Sequence, residues 1–421
     1  MQILWKRFTS FTDVEVQNRM KFLILFVIFI SSLFANSLQE AVDQASAGAV
    51  IKLQNGIYHG NILIKKPLTI IGVGNQVEIR GEGRGSVVRI QSAHVRLKNI
   101  IITNSGKNMR SIDAAISLKQ VKYCEISHCT LKNVLYGIDM DMVQNSLVLQ
   151  NDITVAKNDI ALRGNALKLY YSHYNTIEAN NIHDARDVTL RYSHHNLFQK
   201  NKFAHNRFAT HLELSNANIF KNNSYMYNSV GMMFMGAKDT QVIANKIYSS
   251  TGAAGIGVMI GSVSNFVFTG NSVRYNAKGI YIQGAEKARG MKRFFKNNEI
   301  AYNAEALHFH ASIRDNMIVH NKFFGNIDDV LKDIGGDFDA SNVVEYNYWD
   351  RYDGFDANSD GIGDTPYRVY QHADLLWQEN NKVKFFYAAP VMSLLDFLLK
   401  LAPFIEPDLI MEDKKPIFRS F

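Results

Sequence analysis

Three methionines, Met233, Met235 and Met259, fall on neighbouring segments at positions that alternation turns outward, and His308 and His310 follow two segments later. Exposed thioethers gain little from packing, whereas soft Met sulfur with imidazole suits Cu(I). A second pair, His173 and His194, recurs in "YSHYN" and "YSHHN" one repeat apart. Further on, Asp356, Asn358, Asp360, Gly361 and Asp364 have the spacing of the first half of a calcium loop. The twelfth position, where a bidentate Glu belongs, is Tyr367, so a complete EF-hand is excluded; a weak calcium site stands beside a metal-free cap of Asx turns. Cys124, His128 and Cys129 read either as metal ligands or as buried thiols that stand in for asparagine. Asp139 and Asp141, with Arg163 and Arg191 expected in the same column on later coils, have the makings of acid–base chemistry on a polysaccharide. The plainer reading of these four is a surface charge ladder of small energetic value.

What must position these residues is a repeat. An asparagine followed two residues later by a large apolar residue recurs at Asn151, Asn180, Asn201, Asn223, Asn245, Asn271, Asn298, Asn321 and Asn347, with Cys129 in the same register; the steps are 22, 29, 21, 22, 22, 26, 27, 23 and 26. A second column, Asn175, Asn196, Asn218, Asn316 and Asn342, lies five residues earlier, in register with Cys124. The segments alternate apolar and polar residues instead of repeating at helical spacing, so each repeat is one coil of a solenoid. With a further strand about nine residues after each asparagine, the coil has three sides. The fold predicted is all-β, a right-handed parallel β-helix of about eleven coils over 75–347. Aligning the later strands puts Ile138, Ile160, Val188, Leu212, Met232, Ile256, Ile280 and Leu307 inward. The methionines then cluster on adjacent coils, with the histidines about 10 Å beyond Met259. Two other readings stay open: a loop or partner covers the methionines, or the register slips by one and buries them.

Composition agrees with one long β-structure. Of six prolines in 421 residues only Pro67 precedes residue 366, as a ladder of strands requires. Two cysteines are too few for a disulfide framework. The net charge is +7, or +5 once 1–35 is removed, and no basic run interleaved with aromatics marks a nucleic-acid surface. Residues 1–35 have the layout of a secretory signal, with Met20 as a candidate start and a retained anchor as the alternative. Residues 37–74 then form an N-terminal cap, opened by a short helix over 38–45, with the first coil. Residues 75–349 form the β-helix and 350–384 an Asp-rich cap. In 385–421, Val391, Met392, Leu394, Leu395, Phe397, Leu398, Leu399 and Leu401 surround a narrow polar stripe at helical spacing. Thirteen residues reach only about 20 Å, so this C-terminal apolar helix does not span a bilayer and is expected to dock on a partner or cap the last coil.

The coil repeats, the block "NYWDRYDGFD…DGIGDTPYR" and the tail "KFFYAAPVMSLLDFLLKLAPF" resemble the NosD family over residues 37–410. The coil motif is shared with pectate lyases and other carbohydrate-active β-helices; the C-terminal block and tail are the more specific part. The resemblance implies a periplasmic protein without turnover that helps mature the copper sites of nitrous-oxide reductase. It implies transient Cu(I) cargo and, as partners, an inner-membrane ABC transporter permease and ATPase, a copper-carrying lipoprotein and the apo-reductase. The apolar tail is then the surface expected to dock into the permease and hold the protein at the inner membrane. The competing reading is a carbohydrate-active lyase or hydrolase, and a purely structural or adhesive solenoid is a third.

Overall fold

The computed structural model describes residues 38–156, 159–252, 254–283, 292–310, 312–333, 338, 340–371 and 408–418. Short strands of alternating burial leave one face for a core, and the chain meets that need by winding. Three parallel sheets result: sheet A has 13 strands and opens with Val50–Leu53, sheet B has 13 and opens with Gly56–His59, and sheet C has 12 and opens with Ile62–Ile64. Each sheet takes every third strand, so the fold is the right-handed parallel β-helix expected. Eleven of the thirteen strands of sheet A lie beyond residue 75. Coiling begins earlier, because Val50–Leu53 already pairs with Thr69–Gly72. At about 4.8 Å per coil the rod is roughly 60 Å long.

The interior is a stack of aliphatic and aromatic side chains. Ile153, Ile182, Phe203, Tyr225, Ile247, Val273, Ile300 and Phe323 follow one another down sheet B, all buried. At the corner before them runs the predicted asparagine ladder. The Asn151 backbone N–H donates to Asn180 Oδ1 at 2.9 Å, its Nδ2 donates to the same oxygen and to Ile126 O, and the pattern repeats to Asn347. The residue before each rung turns the chain with positive φ, as Gln150, Ala179, Lys200 and Asn222 do, and the carboxamide satisfies the backbone groups that the turn releases. A third column, Asn206, Asn228, Asn276, Asn303 and Asn326, does the same at another corner; Ser250 takes the rung between Asn228 and Asn276, which interrupts its asparagine spacing in the sequence. Cys129 and Cys124 are rungs. Their N–H groups donate to Asn151 Oδ1 and Ser146 Oγ, and burial pushes the Cys129 thiol up to about 12, which keeps it protonated.

Both ends are closed. At the first, helix α1 (Leu38–Gln44) buries Leu38 and Val42, and the Gln39 carboxamide pairs with the N–H and C=O of Leu63 on the edge strand. At the other end, an antiparallel hairpin of Tyr367–Gln371 and Asp408–Asp413 lies on the last strand of sheet C. Asp413 supplies the final rung of the ladder, accepting from Asn347 N, Asn347 Nδ2 and Trp349 Nε1 at 2.9–3.1 Å. Among the described residues no helix is long and apolar enough to cross a membrane. The apolar segment 390–402 lies outside the described residues.

Candidate copper site on sheet C

The outward face of sheet C carries a column of one residue per coil: Asp139, Lys168, Thr189, His211, Met233, Met259, Tyr281, His308 and Leu331. Met232, Phe234, Val258 and Ile260 point inward and are buried, so Met233, Met235 and Met259 face out, half-buried, and the one-residue slip is excluded. Met233 lies directly across from Met259. Met235 lies across from Glu213, and its thioether leans over Gly261, where a Cβ would stand 2.5 Å from its sulfur. Thus the structure brings the three methionines together.

It gives them a histidine other than those expected. The spacing set Glu213 and Ser215 beside Met233 and Met235; the actual neighbours are His211 and Glu213, and Ser215 is a buried ladder residue. The expected alignment set Leu212 beside Met232, whereas Thr210 takes that place and Leu212 pairs with Phe234, a register shift of two. A slip of two keeps every side chain on its face, so burial alternation could not reveal it. Two inward assignments fail as well. Ile160 sits in a 3-10 turn, 39% exposed, and Leu167 takes its place; Ile256 is half-buried and pairs with Val230, leaving Val258 to fill the core.

The histidines expected to complete the site are engaged elsewhere. Tyr281 separates Met259 from His308. His308 is 3% exposed, with Nδ1 2.6 Å from Glu305 Oε2 and Nε2 2.9 Å from Asp333 Oδ1; His310 Nδ1 lies 2.6 Å from the other oxygen of Asp333. His173 and His194 do stack one coil apart, centroids 5.1 Å and planes 3° apart, but each Nδ1 accepts a backbone N–H, from His194 and Asn216. That leaves only Nε2 of each ring for any ligand. Around 356–364 the carboxylates serve their own loop: Asp356 accepts from Asp360 N and Gly361 N, Asp360 from Ile362 N, and Asp364 from Ala357 N, the bonds of an Asx-turn cap. No group of three or more His, Cys, Asp or Glu among the described residues is arranged to hold a metal.

The acid–base constellation does not assemble. Asp139 is 2% exposed and paired with Lys168 at 3.1 Å; burial raises its pKa and Lys168 opposes the rise. Arg163 ends the 3-10 turn and donates to Asp184 O, off the column, while Arg191 pairs with Glu213. Beside the column runs a groove of about 560 Å³ lined by Tyr136, Lys168, Tyr170, Arg191, Arg207 and His211 among others. Its charges are largely paired, Arg207 gripping Asp187 through two bonds of 2.9 and 2.5 Å.

The sequence profile of the NosD family, described as periplasmic copper-binding protein, matches residues 150–354. A probable ABC transporter binding protein NosD from Pseudomonas aeruginosa is 26% identical over 87% of this chain and 87% of its own. Its counterpart from Stutzerimonas stutzeri is 24% identical, over 87% and 86%. Among solved structures, the A-module of mannuronan C-5 epimerase AlgE6 from Azotobacter vinelandii superposes with a TM-score of 0.58 over 72% of this chain and 93% of its own; at 14% identity it shares the fold alone.

Proposed function

We propose that the chain, which matches the NosD family over residues 150–354, is a non-catalytic periplasmic accessory protein for copper delivery to, and copper-site assembly of, nitrous-oxide reductase. In this reading it receives Cu(I) from a copper-carrying lipoprotein and works with an inner-membrane ABC transporter, permease and ATPase, before the ion passes to the apo-reductase. The observation that carries it is the outward methionine cluster on sheet C, with Met233 and Met259 in direct register on a rigid sheet. Thioethers bind Cu(I) and are poor ligands for harder ions, and an open site of few donors releases its ion readily. The apolar residues Val391 to Leu401 are the proposed contact with the permease, and the Asp356–Asp364 loop is proposed as a metal-free cap. A carbohydrate-active role has less to stand on, since its carboxylates and arginines are paired or dispersed.

The test is anaerobic Cu(I) titration against a chromogenic chelator. Joint replacement of Met233, Met235 and Met259 by Leu, which preserves volume and apolarity, should leave the fold intact and abolish binding. Unchanged affinity in the folded triple variant refutes the copper reading of this face.

A further inference from the structure

We propose that His211, Met233 and Met259 together form a single Cu(I) site, with His211 as its nitrogen ligand. The proposal rests on the copper reading above and names the ligands of that site. These three residues occupy consecutive coils of one outward column, His211 across from Met233 and Met233 across from Met259. Adjacent parallel strands lie about 4.8 Å apart, so both outer side chains start next to the central one and reach the space above Met233. Two thioethers and an imidazole make a soft, three-donor set suited to Cu(I).

His211 differs from the other histidines near the column in what its ring is doing. His308 and His310 face carboxylates, and His173 and His194 spend Nδ1 on the ladder. No described residue hydrogen-bonds the His211 ring; its contact is the edge of Phe208, centroids 5.4 Å apart. Burial in the groove lowers its pKa, opposed by Asp187 and Glu213 and helped by Arg207. The His211 ring is one of the groups that line the groove. Met235, two residues along the strand and over Gly261, lies outside the set.

The experiment compares wild type with His211→Leu, His211→Met, Met235→Leu and the Met233→Leu/Met259→Leu pair in the full-length protein. Folding is checked by circular dichroism and thermal melting. Cu(I) affinity is read by chelator competition, and the sulfur-to-nitrogen ratio by X-ray absorption. His211→Leu should weaken binding by at least about tenfold, the loss seen even for residues one shell further out. His211→Met should restore much of the affinity and remove nitrogen from the spectrum, while Met235→Leu changes little. If the methionine pair abolishes binding but His211→Leu does not, or nitrogen persists in His211→Met, the ligand assignment is wrong and the copper reading survives. If neither variant loses affinity, both fall.

Discussion

A residue's part in this molecule is set by which coil it faces. His173 and His194 recur in matching pentapeptides, so their stacking was legible in the sequence; the use of each Nδ1 as a hydrogen-bond acceptor was not, because spacing carries no information on bond direction. Asn216, the next residue in that column, shows what the rings replace: its carboxamide oxygen accepts Lys238 N at 3.0 Å as His194 Nδ1 accepts Asn216 N at 2.9 Å. Protonation destroys the acceptor, and burial, the first cause, holds both histidines below the usual 6.5. Their folded pKa values being depressed, the unfolded chain takes protons first. The stability they provide is present above about pH 6.5 and drains away as pH falls below it. Replacing both with Asn should keep the ladder at pH 7 and flatten the acid slope, whereas His173→Ala should cost about 1 kcal/mol at pH 7. Melting curves at pH 7 and 5 decide this; an Asn double variant as acid-labile as wild type would rule it out.

At the scale of elements, the coil repeat announced itself because each turn needs an asparagine to satisfy its backbone, and nine such rungs cannot be hidden. What alternation could not reveal was the two-residue register shift that sets His211 beside Met233, and the closing hairpin, whose two strands lie far apart in the chain. That hairpin makes one costly contact. Asp329, on the last strand of sheet C, accepts from Tyr367 Oη at 3.0 Å and is 3% exposed; burial raises its carboxyl to about 6 despite Arg351. A raised acid is protonated more readily in the fold than in the unfolded chain. The penalty is therefore absent below about pH 4 and grows as pH rises through 6, reaching on the order of 2–3 kcal/mol when ionisation is complete. Asp329→Asn, which keeps an acceptor for Tyr367, should raise the melting temperature at pH 8 and leave it unchanged at pH 4. Equal effects at both would mean that the carboxyl is not titrating in this window.

As a whole the molecule is a one-dimensional stack, in which each coil contacts only its neighbours and stability is lost from unprotected ends. The Gln39 pairing with Leu63 protects one end, and the rung supplied by Asp413 protects the other. Asp413 lies beyond the apolar segment that is proposed to meet the permease, so the chain after Gln371 has two separable duties. Excising 385–402 alone should leave Asp413 able to close the ladder, keep the melting temperature near that of wild type and abolish co-purification with the permease. Ending the chain at Gln371 should do more: Asn347 and Trp349 lose their acceptor, and the last coil presents open strand edges. Hydrogen exchange should then show 322–349 losing protection while 176–248 retains it, with end-to-end association at higher concentration. Uniform loss along the rod would contradict the stack of independent coils. Permease binding by the 385–402 deletion would show that contact to lie elsewhere on the rod.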